Sequence, residues 1–594
     1  MTTAAADETA NQKTWFGHPR PLATLFTTEM WERFGYYGMR ALLILYLVEH
    51  FGFADKVAGG LYGAFTSLVY LTPLIGGYIA DQYLGSKTSV KFGAILMATG
   101  YLALAFTGGA PATPNVSIAG HHYTVENVRS GDNSTQYVLD GARKYKIVGN
   151  QDGSISIEGA QGTIPAHVAK SDYRFDADRN PVSVLLLFLS LALIIVGNGY
   201  FKPNISTMVG SLYSQTDRRR DAGFTIFYMG INLGSIFSQF FAPLVAAKYG
   251  YDWGFALAGF GMVLAWARIQ FSQKILAAYG NPPDGGSSRT FLIVVLSIVA
   301  IPVVWFFLNN AMEAATLARS TSSHGFLAYL MAQPLLGRVM FIVYAVALLG
   351  IPVWAAFSVS PIERDRMIVV VVLTFFSTVF WTLFEQAGSS LTLFADRNTD
   401  LFIGNLPFIG PYVMPAGQVQ IFNPLFIVAM APLFSVLWNW LGKRGVEPSV
   451  PLKFAIGLMF VGLGFLTLVF GAGFHDASFK VPLIWLAFAY LLHSVGELCL
   501  SPVGLSAISK LSVARLVGLM MGVWFLSSSM AQYVGGIIAQ FASTETVGGK
   551  VLNAEVSLQT YLGVFQTIGL AGIGAAVVLM LLWPLLKRGM HGVS

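Results

Sequence analysis

The sequence predicts an all-α polytopic membrane protein with about fourteen transmembrane helices, and three observations predict it. Of 594 residues, 55% are hydrophobic and 14% aromatic, while 11% are charged, against roughly a quarter charged in a water-soluble chain. Apolar runs of about 20 residues, the length that crosses a bilayer core, recur near 22–49, 58–80, 89–108, 182–212, 222–247, 253–278, 290–311, 338–358, 367–395, 420–441, 452–472, 482–509, 517–541 and 558–586. Glycine is abundant, 62 residues scattered through those runs, as expected where helices approach closely with no hydrophobic drive between them. A soluble enzyme is excluded.

The polar start, with Lys13, His18 and Arg20, lacks the apolar core of a cleavable leader. Insertion is therefore expected to use the internal spans. The first span is the unusual one. Its Glu29, Glu32, Arg33, Tyr36, Tyr37 and Arg40 fall within an arc of about 140° at 100° per residue. One face of this helix must look into a cavity or a polar partner, although a purely structural Glu/Arg ladder is the plainer alternative. Ionisable groups inside a membrane are functional hypotheses by default, which adds Lys202, Glu385 and Glu497 in later spans.

Between the third and fourth spans, residues 109–180 are polar and hold 15 of the chain's 66 charges. Short alternating pieces such as Gln136–Leu139 and Ile155–Glu158 suggest a β-rich insert outside the membrane. A packed small domain and a loosely ordered loop stay equally open, an unstructured loop of this length being unusual. Pro203, Pro424 and Pro502 lie in spans beside Lys202, Asn423 and Glu497; each frees backbone carbonyls, which suits a hinge or a fixed kink.

Lysines and arginines in the short loops favour one face by about two to one, which puts both termini in the cytoplasm by the positive-inside rule. The net charge of +6 therefore reads as topology, and no nucleic-acid partner is expected. One cysteine, Cys499, forbids an intrachain disulfide. His493 and Cys499 read as packing, since a metal site wants more converging ligands. No phosphate-binding loop occurs, and no nucleophile–His–acid arrangement is apparent. The expectation is a carrier driven by a gradient, not an enzyme, with no cofactor.

The run Gly76–Lys87, followed by Lys91-Phe92-Gly93 and echoed by Leu441-Gly442-Lys443-Arg444, resembles the loop signature of the major facilitator superfamily. That implies two six-helix bundles related by a pseudo-twofold axis. The expected organisation is a tail 1–21, a first bundle 22–280 carrying the insert 109–180, two extra helices within 281–360, a second bundle 361–588 and a tail 589–594. The segments Glu29-x-x-Glu32-Arg33-Phe34-x-Tyr36-Tyr37, Phe227-Tyr228-x-x-Ile231-Asn232-x-Gly234-Ser235, Asn423-Pro424, Glu497-x-x-x-Ser501-Pro502 and Met521-Gly522-x-Trp524-Phe525 together resemble the proton-coupled oligopeptide transporter family, close to its bacterial importers.

The resemblance implies a monomeric symporter of di- and tripeptides and protons, working by alternating access in a bacterial inner membrane. It implies that Arg33 and Lys202 take the peptide carboxylate, Glu497 the ammonium, and Asn232 and Asn423 the amide. Tyr36, Tyr37, Tyr70, Trp381, Trp524, Ser501 and Ser528 complete the peptide site. Proton coupling falls to Glu29, Glu32, Arg33 and Glu385, and the pairs Arg40–Glu385 and Lys202–Glu497 gate the two ends. Two departures stand out: the insert replaces a short turn, and Gly63 stands where animal members carry a proton-handling histidine. Carriers of nitrate, a carboxylate or a drug are the rivals within the class, and a membrane receptor or sensor is the rival outside it. Glu497 opposite Lys202 favours peptide, because an anion carrier gains nothing from a further carboxylate.

Overall fold

The computed structural model describes residues 14–593 except 131–132, 162–163, 215, 284–288, 318–327, 329–330, 408–409 and 514–515; most of the expected N-terminal tail lies outside the described residues. Among them, 13 helices are long and apolar enough to cross a membrane. The first helix, α1 (Pro21–Leu45), has the same length with its charges in mid-helix, making fourteen. The others are α2 (Asp55–Ile79), α3 (Ser86–Phe106), α4 (Pro181–Ser211), α5 (Arg220–Tyr249), α6 (Tyr251–Phe271), α7 (Thr290–Leu317) and α8 (Leu335–Ser358). After them come α9 (Pro361–Phe384), the short α10 (Ser390–Asn398), α11 (Phe422–Lys443), α12 (Val450–Gly471), α13 (Leu483–Leu511), α14 (Val517–Phe541) and α15 (Ala554–Gly589).

Two boundaries differ from the sequence expectation for physical reasons. The ninth span starts earlier, at Pro361, because Ser360 and Glu363 form a reciprocal capping box. It then breaks at Glu385–Gly388 into a tight 3₁₀ turn before α10. There the Gln386 amide donates to the carbonyls of Thr382 and Gly535 at 3.1 Å each. In the next span a 3₁₀ turn, Ala416–Ile421, precedes α11. Pro424 thus stands in the first turn of α11, where a missing N–H costs nothing, and it begins a helix instead of bending one. Pro203 lies well inside α4.

The chain divides into two compact units, one of Met1–Leu42, Leu68–Thr107 and Leu185–Phe306, the other of Leu43–Ser67, Gly108–Val184 and Phe307–Ser594. In the first, glycines let backbones touch. A Cβ at Gly93 would lie 2.8 Å from the Phe201 nitrogen. Gly85 turns at φ +70°, and a Cβ there would lie 2.6 Å from the Asn281 carbonyl oxygen, which explains the Leu84-Gly85 of the loop signature. In the second unit α12 packs on α13 and α15, with Gly462 against Gly569. The far ends of α1 and α2 belong to this unit, and Ser67 meets Ser529 at 2.9 Å.

The insert is a packed domain, which decides the question left open by the sequence. Its strands are β1 (Thr113–Ile118), β2 (His121–Ser130), β3 (Asn133–Asp140), β4 (Arg143–Gly149), β5 (Ile155–Glu158), β6 (His167–Val168) and β7 (Tyr173–Asp178). They form one sheet in the order β6-β5-β4-β3-β2-β1-β7, antiparallel throughout. Strict alternation in β7 buries Tyr173, Phe175 and Ala177, as a one-faced sheet requires. The apolar face gathers Val116, Val138, Ile147, Ile157 and Phe175, and also takes in Val547 from the loop between α14 and α15. Polar bonds fasten the same contact: Asn127 Nδ2 donates to the Val547 carbonyl (3.0 Å), Asn553 to Gly149 (3.0 Å) and Gln151 to Glu555 (2.9 Å). Arg179 donates to the carbonyls of Phe51 and Gly52 at 2.8 Å. Burial pushes the Asp176 carboxyl up, but Arg179 and the Ala177 amide outweigh it and hold Asp176 below the usual carboxylate range.

Candidate functional site

The polar face of α1 is buried: Glu32 is 0% exposed, Glu29 2% and Arg33 5%. Glycines of α5 make room for it, since Gly230 lies against Phe26 and Gly234 against the Met30 carbonyl and the Arg33 Cβ. This accounts for the spacing in the Asn232 segment. Arg33 Nε donates to Glu29 Oε1 at 2.7 Å and lies 2.9 Å from Glu32 Oε2. The Glu32 contact is one of charge alone, because neither Glu32 oxygen accepts a hydrogen bond among the described residues. Two carboxylates thus share one buried guanidinium. The Arg33 and Arg40 guanidinium groups lie 5.9 and 6.0 Å from the ring centres of Tyr36 and Tyr37. On α4, the Lys202 ammonium sits 4.0 Å from the centre of the Tyr70 ring, a cation–π contact within the same unit. Asn232 donates to the Tyr228 carbonyl at 3.1 Å.

In the second unit Asn423 Nδ2 donates to Glu497 Oε2 (3.0 Å) and to the Ser494 hydroxyl (3.1 Å), so Asn423 orients the carboxylate. Trp524 is buried, its ring against Gly504. Trp381 packs edge-on against Phe380 and Phe384. Ser501 lies on α13, and Ser528 returns its hydroxyl to the Trp524 carbonyl at 3.3 Å. Glu385 is buried at the break after α9. His493 is wedged between the rings of Phe384 and Phe465, the packing role expected of it. Each expected gate pair, Arg40–Glu385 and Lys202–Glu497, takes one member from each unit.

A model of the POT family matches residues 87–554, 468 of the 594. The chain belongs to the POT family. Relatives align over nearly its whole length. Dipeptide and tripeptide permease A of Escherichia coli is 30% identical, covering 98% of this chain and 96% of its own, and the di-/tripeptide transporter of Lactococcus lactis is 30% identical over 97% of both. A crystal structure of the peptide transporter POT in complex with alafosfalin superposes with a TM-score of 0.69 at 29% identity, covering 98% of each chain. Its complex with sulfate gives 0.70 at 30% identity. Matches this complete carry the helical carrier fold across to this POT-family chain.

The structure also brings forward residues that the sequence reading passed over. Asp55 and Arg397, 342 positions apart, form a bidentate ion pair at 1% side-chain exposure each. Thr544 and the Tyr561 hydroxyl complete it: Arg397 donates to each at 3.1 Å, and the Thr544 N–H donates to Asp55 at 3.0 Å. Close by, Lys550 bridges Glu49 (2.6 Å) and Asp396 (3.4 Å). These charges flank apolar runs, so a single sequence presents them as loop residues. Gly63 has a plain physical reason as well. A Cβ there would lie 2.6 Å from the Gly536 Cα, so the two helices touch through their backbones and no imidazole fits.

Proposed function

We propose that this chain is a proton-coupled symporter that imports di- and tripeptides by alternating access across a bacterial inner membrane. Both termini are cytoplasmic, the insert lies outside, and a single copy suffices. The observation that carries the reading is the buried group on α1, where one guanidinium serves two carboxylates. One guanidinium thus compensates two buried carboxylates, and whatever engages it does so at their expense. An arriving peptide carboxylate competes for Arg33 and leaves Glu32 less compensated, which favours its protonation. Proton and peptide then raise each other's affinity, as linkage requires.

The remaining residues divide the peptide between them. Lys202 adds a point charge to the bidentate fork of Arg33 at the carboxylate end. Glu497, held by Asn423, receives the ammonium, and Asn232 and Asn423 serve the amide. Tyr36, Tyr37, Tyr70, Trp381 and Trp524 offer side chains an apolar body with a polar tip, with Ser501 and Ser528 beside them. Protonating Glu385 or Glu497 weakens Arg40–Glu385 or Lys202–Glu497 and biases the carrier between its two open states. The 30% identity to proteins named as dipeptide and tripeptide transporters supports the substrate class.

The test is uptake into liposomes containing the purified protein, with the outside made acidic. Accumulation of labelled dialanine that collapses with a protonophore is expected. Accumulation of nitrate with no response to dialanine would overturn the peptide assignment in favour of an anion carrier.

A further inference from the structure

On α3, Tyr101 is 0% exposed, and its hydroxyl has no hydrogen-bond partner among the described residues. Burying a polar group unpaired costs stability, so such a group in a packed interior asks for a reason. Phenylalanine would fill the same space without that cost.

The position of Tyr101 supplies the reason. Its helix is fixed on two sides: a Cβ at Gly100 would lie 2.7 Å from the Ser190 carbonyl of α4, and Leu102 packs on Gly259 of α6. The Tyr101 ring lies against Gly35 of α1, where a Cβ would come within 3.2 Å of Tyr101 Cε2. Gly35 follows Glu32 by three residues and shares its side of the helix. Glu32, Tyr36 and Arg33 are the titratable groups that act on Tyr101, and Arg33, Glu29 and Lys202 are those that act on Glu32. Against this stretch of α1, α5 sets Gly234 and α6 the Ala258 carbonyl; Arg268 of α6 is exposed and donates to Thr27 at 3.0 Å. A buried hydroxyl with no partner therefore neighbours a buried carboxylate whose oxygens accept no hydrogen bond. Their chemistry matches. Arg33 has donors only, which suit Glu32 as an anion, whereas a phenol hydroxyl both donates and accepts. It can hold the carboxylate by donating to it, and the carboxylic acid by accepting from it.

We propose that Tyr101 is a positioning residue for proton coupling: when a peptide carboxylate engages Arg33, Glu32 passes to the Tyr101 hydroxyl, which holds it through both protonation states. Tyr101 keeps its own proton throughout, and the proton that Glu32 gains comes from water and returns to it. The inference deepens the coupling reading above and rests on it.

Tyr101→Phe keeps the ring on Gly35 and gives up no hydrogen bond, so the thermal midpoint should not fall. Dialanine binding to the purified full chain is then measured against pH. A hydrogen bond donated to a carboxylate favours its charged form. Losing it should move the pH of half-maximal binding upward by about one unit, the worth of one hydrogen bond to a charged group, and leave binding at acidic pH unchanged. In a Glu32→Gln background the same substitution should move nothing further, as two members of one pair require. An unshifted profile in Tyr101→Phe, or an equal shift in the Glu32→Gln background, would overturn the proposal. Infrared difference spectra read Glu32 without peptide. In Arg33→Ala, where no guanidinium competes, the carboxyl band that Glu32→Gln abolishes should change frequency when Tyr101→Phe is added. A band that stays in place overturns the partnership whether or not dialanine binds. Failure of the peptide reading is separately visible, as a folded parental protein that neither binds nor accumulates dialanine.

Discussion

Asp55→Asn is the most informative single substitution, because it keeps the shape of the side chain and removes only its charge. In the native protein the carboxylate accepts from both terminal nitrogens of Arg397, with Nη2 at 2.6 Å, and from the Thr544 N–H at 3.0 Å. The Thr544 and Thr546 hydroxyls stand farther off, at 3.4 and 3.5 Å. An amide presents an NH₂ group where these donors converge, and it leaves Arg397 buried without its counter-ion. Removing one partner of a buried pair costs about 3–5 kcal/mol. Arg397 keeps its 3.1 Å bonds to Thr544 and Tyr561, so the lower end applies, about a hundredfold in the equilibrium between the intact and the opened network. The assay uses Ser67→Cys in the Cys499→Ser background, since Ser67 is 0% exposed and bonded to Ser529. Adding Asp55→Asn should raise its rate of thiol modification by about a hundredfold. Adding Arg397→Gln as well should bring the rate back toward the parent, no buried charge being left. A parental rate and an unchanged thermal midpoint in Asp55→Asn would refute the reasoning that this pair holds the local packing closed.

Four further outcomes are expected. Gly63→Ala should lower the thermal midpoint and speed modification of the same Ser67→Cys reporter, because its Cβ would meet the Gly536 backbone at 2.6 Å. Glu32→Gln should keep dialanine binding and counterflow but lose accumulation driven by a pH gradient, whereas Arg33→Ala should lose both; concentrative uptake by Glu32→Gln at the parental rate would move the proton to Glu385. Lys202→Glu with Glu497→Lys should recover part of the cross-link protection lost in either single variant. Replacing 109–180 with a Gly/Ser turn should preserve proton-driven accumulation, and loss of central-site binding in a folded protein would show that the insert belongs to that site.

The helices were legible because membrane length and hydropathy leave few alternatives, and the first span announced itself by charges at helical spacing. Glu29, Glu32 and Arg33 stand together as that spacing requires. What distance in sequence conceals is pairing. Asp55 with Arg397 joins residues 342 apart, and neither position is unusual for a loop until the fold buries both. Turns inside spans were hidden for another reason: the breaks at Glu385–Gly388 and Ala416–Ile421 keep apolar composition while changing hydrogen-bond pattern. The alternation in β3 and β5 signalled strands, yet the attachment of the sheet depends on Val547, far along the chain. Asn423 was expected to face the peptide, and its bond to Glu497 adds a positioning task that residue type alone does not disclose.

The contact between Gly63 and Gly536 restricts what this lineage could become. A histidine at position 63 is incompatible with two helices sharing a backbone contact, so close packing and imidazole-based proton handling compete for one place in the fold. Converting one design to the other would take coordinated changes on both helices, and a lone substitution would first force the two backbones apart. A carrier coupled through carboxylates on α1, as proposed above, asks nothing of this helix seam but close packing.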